Sequence, residues 1–104
     1  KLFGGAGRDT LNGGEGNDIL AGGLGIDKVS GGEGKDIFKM TVGGGYDKIK
    51  DFKDGDDKID ISDLSDWSLL ASGDDVKLYG NGDLLAKIYD IEVGQLIQNG
   101  DYLV

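Results

Sequence analysis

A period of nine residues constrains this chain more than any other feature. Residues 4–39 divide without a gap into four nonapeptides: GGAGRDTLN, GGEGNDILA, GGLGIDKVS and GGEGKDIFK. Positions one, two and four are Gly in every copy. Position six is Asp (Asp9, Asp18, Asp27, Asp36) and position eight is apolar (Leu11, Leu20, Val29, Phe38). Self-similarity at a short fixed period marks a solenoid, whose units bury their apolar faces only by stacking on one another. A disordered glycine tract has a similar composition but keeps no apolar residue in register. Lys1-Leu2-Phe3 fits the last three positions of an earlier copy, so the chain reads as a fragment that begins inside a longer array.

The residue types follow from geometry. Glycines at positions one, two and four permit a turn with dihedrals barred to other residues, and they let carbonyl oxygens face inward with no Cβ in the way. The last three residues of each copy suit a short strand whose central side chain points to the interior. Gly is abundant, at 21 residues, yet Pro is absent and Gly does not recur every third position, so collagen is excluded.

Charge narrows the chemistry. Twenty acidic residues face 11 basic ones, for a net charge of −9. That balance suits cations and is a poor match for nucleic acid or an anionic membrane. The chain has no His and no Cys. The usual zinc ligand sets, Ser-His-Asp and Cys-His catalysis, and disulfides are therefore excluded. Hard oxygen ligands remain, suited to Ca²⁺ or Mg²⁺. No apolar run is long enough for a membrane-spanning helix, and no signal peptide is visible.

The nonapeptides resemble the RTX, or haemolysin-type, calcium-binding repeat GGxGxDxUx. All twenty defining positions match, five in each of four copies. The resemblance implies an all-β fold: a parallel β-roll, or right-handed β-solenoid, in which two copies make one 18-residue coil. One sheet would hold Leu2, Leu20 and Phe38, and the opposing sheet Leu11 and Val29. Asp9 would lie over Asp27 on one edge, and Asp18 over Asp36 on the other. The resemblance further implies several Ca²⁺ ions between stacked turns. Their ligands would be these four aspartates and the carbonyls of Gly5, Gly7, Gly14, Gly16, Gly22, Gly23, Gly31 and Gly32.

After Lys39 the period degenerates. Val42-Gly43-Gly44-Gly45-Tyr46-Asp47-Lys48-Ile49-Lys50 keeps Gly at positions two and four, Asp at six and an apolar residue at eight, but starts two residues late. Residues 37–42 are therefore expected to form a longer strand. The following segment, Asp51-Phe52-Lys53-Asp54-Gly55-Asp56-Asp57-Lys58-Ile59-Asp60-Ile61-Ser62, resembles the D-F…G-x-D-K-I-D-L-S closure of β-rolls in serralysin-type proteases. Asp47 becomes a further expected ligand and Asp57 a weaker one. The carboxylates of residues 51–60 also suit an ordinary solvated acidic turn. An EF-hand does not fit, because the D-x-D-x-D-G order is missing.

Residues 62–67 read as a capped short helix. Trp67 and Phe52 are expected to plug the roll, the alternative being an exposed binding platform. Asn81-Gly82 between residues 76–79 and 84–89 signals a hairpin. Tyr102-Leu103-Val104 is expected to be a last strand, so that three terminal strands cap the roll. The ending Asp101-Tyr102-Leu103-Val104 also resembles the acidic-then-hydrophobic terminus of some type I secretion substrates.

These readings place a β-roll over residues 1–50 and a capping region over 51–104. Five apolar side chains are few for a roll of this size, so folding is expected to depend on Ca²⁺. The favoured function is a calcium-binding folding and secretion module of a larger exoprotein. Its expected partners are calcium, the N-terminal remainder of that protein and a type I secretion apparatus; nucleic acid and a membrane span are not expected. The alternative is an accessory module for a polysaccharide or surface, which an exposed basic and aromatic groove would favour. An enzyme is the third reading and the least favoured, because the aspartates stand at ligand spacing and Gly34-Lys35-Asp36 lacks the Ser or Thr of a phosphate loop.

Overall fold

The computed structural model describes residues 2–40, 45–53, 56–64 and 66–104. Among these residues it is built from strands, with a single 3₁₀ turn at Val93–Gln95. The first seven strands wind a solenoid: β1 (Leu2–Phe3), β2 (Thr10–Asn12), β3 (Ile19–Ala21), β4 (Asp27–Ser30), β5 (Ile37–Lys39), β6 (Asp47–Ile49) and β7 (Lys58–Asp60). Alternate strands fall into opposite sheets, because each glycine turn reverses the chain between them. Then come β8 (Trp67–Ser72), β9 (Asp75–Gly80), β10 (Asp83–Ile88), β11 (Gln98–Asn99) and β12 (Tyr102–Leu103). One sheet runs β1-β3-β5-β7-β12-β11 and the other β2-β4-β6-β10-β9-β8.

Register follows from the repeat. Leu2 pairs with Leu20 and Leu20 with Phe38 in the first sheet, and Leu11 with Val29 in the second. Each step is 18 residues, two nonapeptides. Val29 then pairs with Ile49 and Phe38 with Ile59, steps of 20 and 21 residues that absorb the degenerate units. The position-eight side chains face one another across the roll. Leu20, Phe38 and Ile59 from one sheet and Val29, Ile49 and Ile88 from the other lie in one buried cluster. Phe52 is buried beside Phe38, with ring centroids 6.2 Å apart.

The C-terminal strands extend the sheets rather than lying across the open end. Strand β10 adds parallel to β6, and β12 adds antiparallel to β7. The Asn81-Gly82 hairpin is present, with both residues at positive φ (53° and 88°), as a primed turn requires. Two strands go beyond expectation, β8 and β11, so five rather than three follow the roll. The helix expected at residues 62–67 is not formed among its described residues. Ser62 and Asp63 form a turn, in which Ser62 N–H donates to Asp60 Oδ1 at 2.9 Å, and Trp67 opens β8 opposite Gly80. Antiparallel pairing offers the chain from Trp67 onward a full ladder, which one capped helical turn does not. Trp67 is half-buried against the core. Strand β5 is Ile37–Lys39, with Met40 buried behind it; Val42, Gly43 and Gly44 of the degenerate unit lie outside the described residues, as do Asp54, Gly55 and Ser65.

Candidate metal centre

The strands place the position-six aspartates in two columns, one along each edge of the roll. Thr10 pairs with Lys28, and Asp27 pairs with Asp47, so Asp9, Asp27 and Asp47 lie in successive layers. On the other edge Asp36 N–H donates to Asp57 Oδ1, so Asp18, Asp36 and Asp57 are stacked likewise. Layers are joined by a recurring hydrogen bond. Asp9 N–H donates to Asp27 Oδ1 at 2.8 Å, Asp18 N–H to Asp36 Oδ1 at 2.9 Å, and Asp36 N–H to Asp57 Oδ1 at 2.9 Å. The expected stacking of Asp9 over Asp27 and Asp18 over Asp36 is what the roll builds.

The second carboxylate oxygen sets the chemistry. Asp9 Oδ2, Asp18 Oδ2, Asp27 Oδ2, Asp36 Oδ2 and Asp47 Oδ1 are buried and receive no hydrogen bond. Asp27 and Asp36 are fully inaccessible. A buried carboxylate oxygen without a donor is costly, and a cation removes that cost. Burial raises the Asp36 carboxyl above the usual range, and the nearby charges of Asp57, Asp18 and Asp51 add to the effect. Asp47 is pushed up to about 7 by burial and by the charge of Asp27. Carboxylates held out of water beside like charges favour the proton unless a metal takes its place.

Glycines at position one line the same gaps. A Cβ added at Gly13 would stand 2.6 Å from Asp18 Oδ2 and 2.7 Å from the Gly31 carbonyl. One added at Gly4 would stand 2.7 Å from Asp9 Oδ2 and 2.5 Å from the Gly22 carbonyl. One at Gly22 would meet Asp27 Oδ2 at 2.6 Å and run into Asp47 Oδ1. Oxygens therefore converge where these glycines have no side chain. The carbonyls of Gly5 and Gly14 stand where a Cβ on Gly23 and Gly32, one layer on, would be, and those of Gly7 and Gly16 do the same at Gly25 and Gly34. The Gly14 carbonyl also accepts the Glu33 N–H at 3.0 Å. Among the described residues no group of three or more acidic side chains meets at one point. The carboxylates come in pairs, and a hexacoordinate ion would need backbone carbonyls to complete its shell, as Ca²⁺ accepts.

Two acidic residues are held by backbone N–H donors. Both oxygens of Asp57 are engaged, Oδ1 by Asp36 N–H and Oδ2 by Lys53 N–H, each at 2.9 Å. Asp51, grouped at the sequence level with ordinary solvated acids, accepts from Gly31 N–H at 3.0 Å and Gly32 N–H at 2.8 Å. Its position just before the Phe52 closure was the one available signal. The outer face of the second sheet was also not foreseen. Lys28, Lys48, Lys87 and Lys77 occupy paired positions on β4, β6, β10 and β9. Each of the first two directly follows a buried Asp, so alternation along the strand turns it outward. A groove of about 490 Å³ opens beside Lys28, Lys48, Arg8 and Tyr46.

Comparison with known proteins agrees with this geometry. The family profile of the RTX calcium-binding nonapeptide repeat matches residues 1–29 and 15–39, in four copies. No curated protein sequence matches the chain significantly. Among solved structures, the R3 subunit of the Azotobacter vinelandii mannuronan C5-epimerase AlgE6 is similar, with a TM-score of 0.63 and 32% sequence identity. The match covers 83% of this chain and 61% of that one, so the chain spans less than two thirds of its neighbour's length. Residues 1–39 thus match the RTX calcium-binding nonapeptide repeat in four copies, and they fold as a β-roll.

Proposed function

We propose that this chain is a calcium-dependent folding module of a larger extracellular protein, with the roll over residues 1–50 and a capping region over 51–104. The observation that carries the reading is the set of five buried carboxylate oxygens without a donor. Asp9, Asp27 and Asp47 would hold ions on one edge, with the carbonyls of Gly22, Gly5 and Gly7. Asp18 and Asp36 would hold an ion on the other, with those of Gly31, Gly14 and Gly16. Gly23 and Gly32 stand in the same turns. Ca²⁺ would supply positive charge between stacked carboxylates and tie one layer to the next. Secretion through a type I apparatus fits the repeat family and the absence of Cys and Pro, since neither disulfide formation nor prolyl isomerisation then delays folding outside the cell.

The test is a titration of the chelated chain, followed by circular dichroism. Millimolar Ca²⁺ should produce a cooperative gain of β-structure, and Mg²⁺ at equal concentration should not, because it prefers rigid octahedral sites and dehydrates reluctantly. A β-spectrum that is unchanged by chelator, or equal midpoints for the two ions, would overturn the proposal.

A second reading is an accessory module for an acidic polysaccharide, and the lysine register favours it. Neighbouring strands stand ~4.8 Å apart, so the four paired lysines present a regular cationic row. Lys50 and Lys87 also flank the Tyr89 ring, 5.8 and 5.1 Å from its centroid. A linear polyuronate should bind the calcium-loaded chain and a neutral glucan should not. Lys48→Glu should weaken that binding while leaving calcium-induced folding in place. Equal retention of both polymers would sink this reading alone.

A further inference from the structure

The two carboxylate columns end differently. On the edge of Asp9, Asp27 and Asp47, every layer keeps one buried oxygen without a donor. On the edge of Asp18, Asp36 and Asp57, the first two layers do so and the third does not. Asp57 is 2% exposed, about as buried as Asp36, so solvent does not account for the difference. Its Oδ1 makes the same interlayer bond as the others, to Asp36 N–H, while its Oδ2 accepts Lys53 N–H at 2.9 Å. Above it, Asp51 takes both leading N–H groups of the Gly31-Gly32 turn. The sequence from Asp51 to Asp57 also carries one Gly where each repeat has three.

From this we infer that Asp51 and Asp57 form a metal-free rung that ends one calcium column at Asp36, while the opposite column continues to Asp47. The inference rests on the calcium reading above and adds a boundary to it. Backbone N–H groups satisfy in this rung what a divalent cation satisfies in the others; hydrogen bonds from N–H donors and a bound cation are alternative ways to stabilise a buried carboxylate. The sites are then unequal in number: two interlayer gaps on the Asp9–Asp27–Asp47 edge and one on the Asp18–Asp36 edge, counted from three and two layers with an unpaired oxygen. Asp51 and Asp57 are positioning residues, which fix the Gly31 turn against the capping region.

Native mass spectrometry of the calcium-saturated chain counts the ions. Asp47→Asn should bind one Ca²⁺ fewer than wild type. Asp57→Asn and Asp51→Asn should bind the wild-type number, with a folding midpoint raised roughly tenfold or more, the effect of losing one hydrogen bond to a charged acceptor. Loss of an ion from Asp57→Asn would overturn the inference. Should that variant not fold at saturating calcium, wild-type protein decides. On exchange of Ca²⁺ for Cd²⁺ the carboxyl carbon resonances of Asp36 and Asp47 should shift and those of Asp51 and Asp57 should stay. Equal shifts at Asp57 and Asp36 would refute it. A wild-type chain that binds no calcium would refute the functional proposal instead.

Discussion

Gly22, at position one of its repeat, and Gly5, at position two of the first, serve different ends. Gly5 has φ +79° and open space around the place of its missing Cβ. Gly22 has an ordinary φ, but a Cβ there would run into Asp47 Oδ1 and stand 2.6 Å from Asp27 Oδ2. Gly5→Ala should therefore cost left-handed strain, ~1–2 kcal/mol, and keep every ion at a higher calcium midpoint. Gly22→Ala should place a methyl group between the two carboxylates and lose the ion they share. Ion counts on the two variants check this, and equal counts would contradict it. Sequence shows these glycines as equivalent members of GGxG; only stacking separates the one that supplies dihedral freedom from the one that supplies room. Asp51 was hidden for a related reason, since its donors, Gly31 and Gly32, lie 20 and 19 residues away.

At the level of strands and turns, the repeat predicts its own register. Leu2, Leu20 and Phe38 fall in one ladder and Leu11 with Val29 in the other, as the 18-residue coil requires. The same ladder ranks the aspartates. Asp27 has a layer on each side, Asp9 and Asp47, whereas Asp9 has the Asp27 layer on one side. Asp27→Ala removes a ligand from two gaps and leaves facing carboxylates with less compensation, a cost on the order of 3–5 kcal/mol by analogy with a broken buried pair. It should abolish calcium-induced folding, or raise the required calcium by more than about a hundredfold. Asp9→Ala should loosen only the coil around β2. Trp67 fluorescence and circular dichroism during calcium titration distinguish these outcomes; equal damage from both changes would refute the shared-ligand arrangement. Beyond the repeat, legibility falls with local signal. The Asn81-Gly82 hairpin was legible because its turn needs those residues. Strand β8 was not, because Trp67-Ser68-Leu69-Leu70-Ala71-Ser72 has no β-branched residue and its partner β9 alone makes it a strand.

For the whole molecule, calcium, protons and folding draw on the same carboxylates, and linkage separates two ways of assembling the roll. Asp47 in the metal-free fold titrates at about 7, against an ordinary value of 3.8, and Asp36 is shifted in the same direction. A raised carboxyl means that the metal-free fold binds more protons than the unfolded chain between these two values. Its contribution to stability is full below about pH 4 and is lost as pH rises through about 7. Acid should therefore favour the roll without metal: in chelator, the β-signal should grow as pH falls from about 7 to about 5. Calcium acts from the other side, because it binds the carboxylate. If the metal-free roll were already folded at neutral pH, calcium would have to displace the Asp47 proton, and uptake would release protons near pH 6.5. If the chain is unfolded until calcium arrives, Asp47 starts ionised and ends ionised, and no such release occurs. Coupled folding thus predicts a calcium midpoint that is flat between about pH 6 and about pH 8, together with a calorimetric heat that does not change with the ionisation enthalpy of the buffer. Proton release in this window, with a midpoint that climbs as pH falls, would show a preformed metal-free roll and contradict folding on calcium.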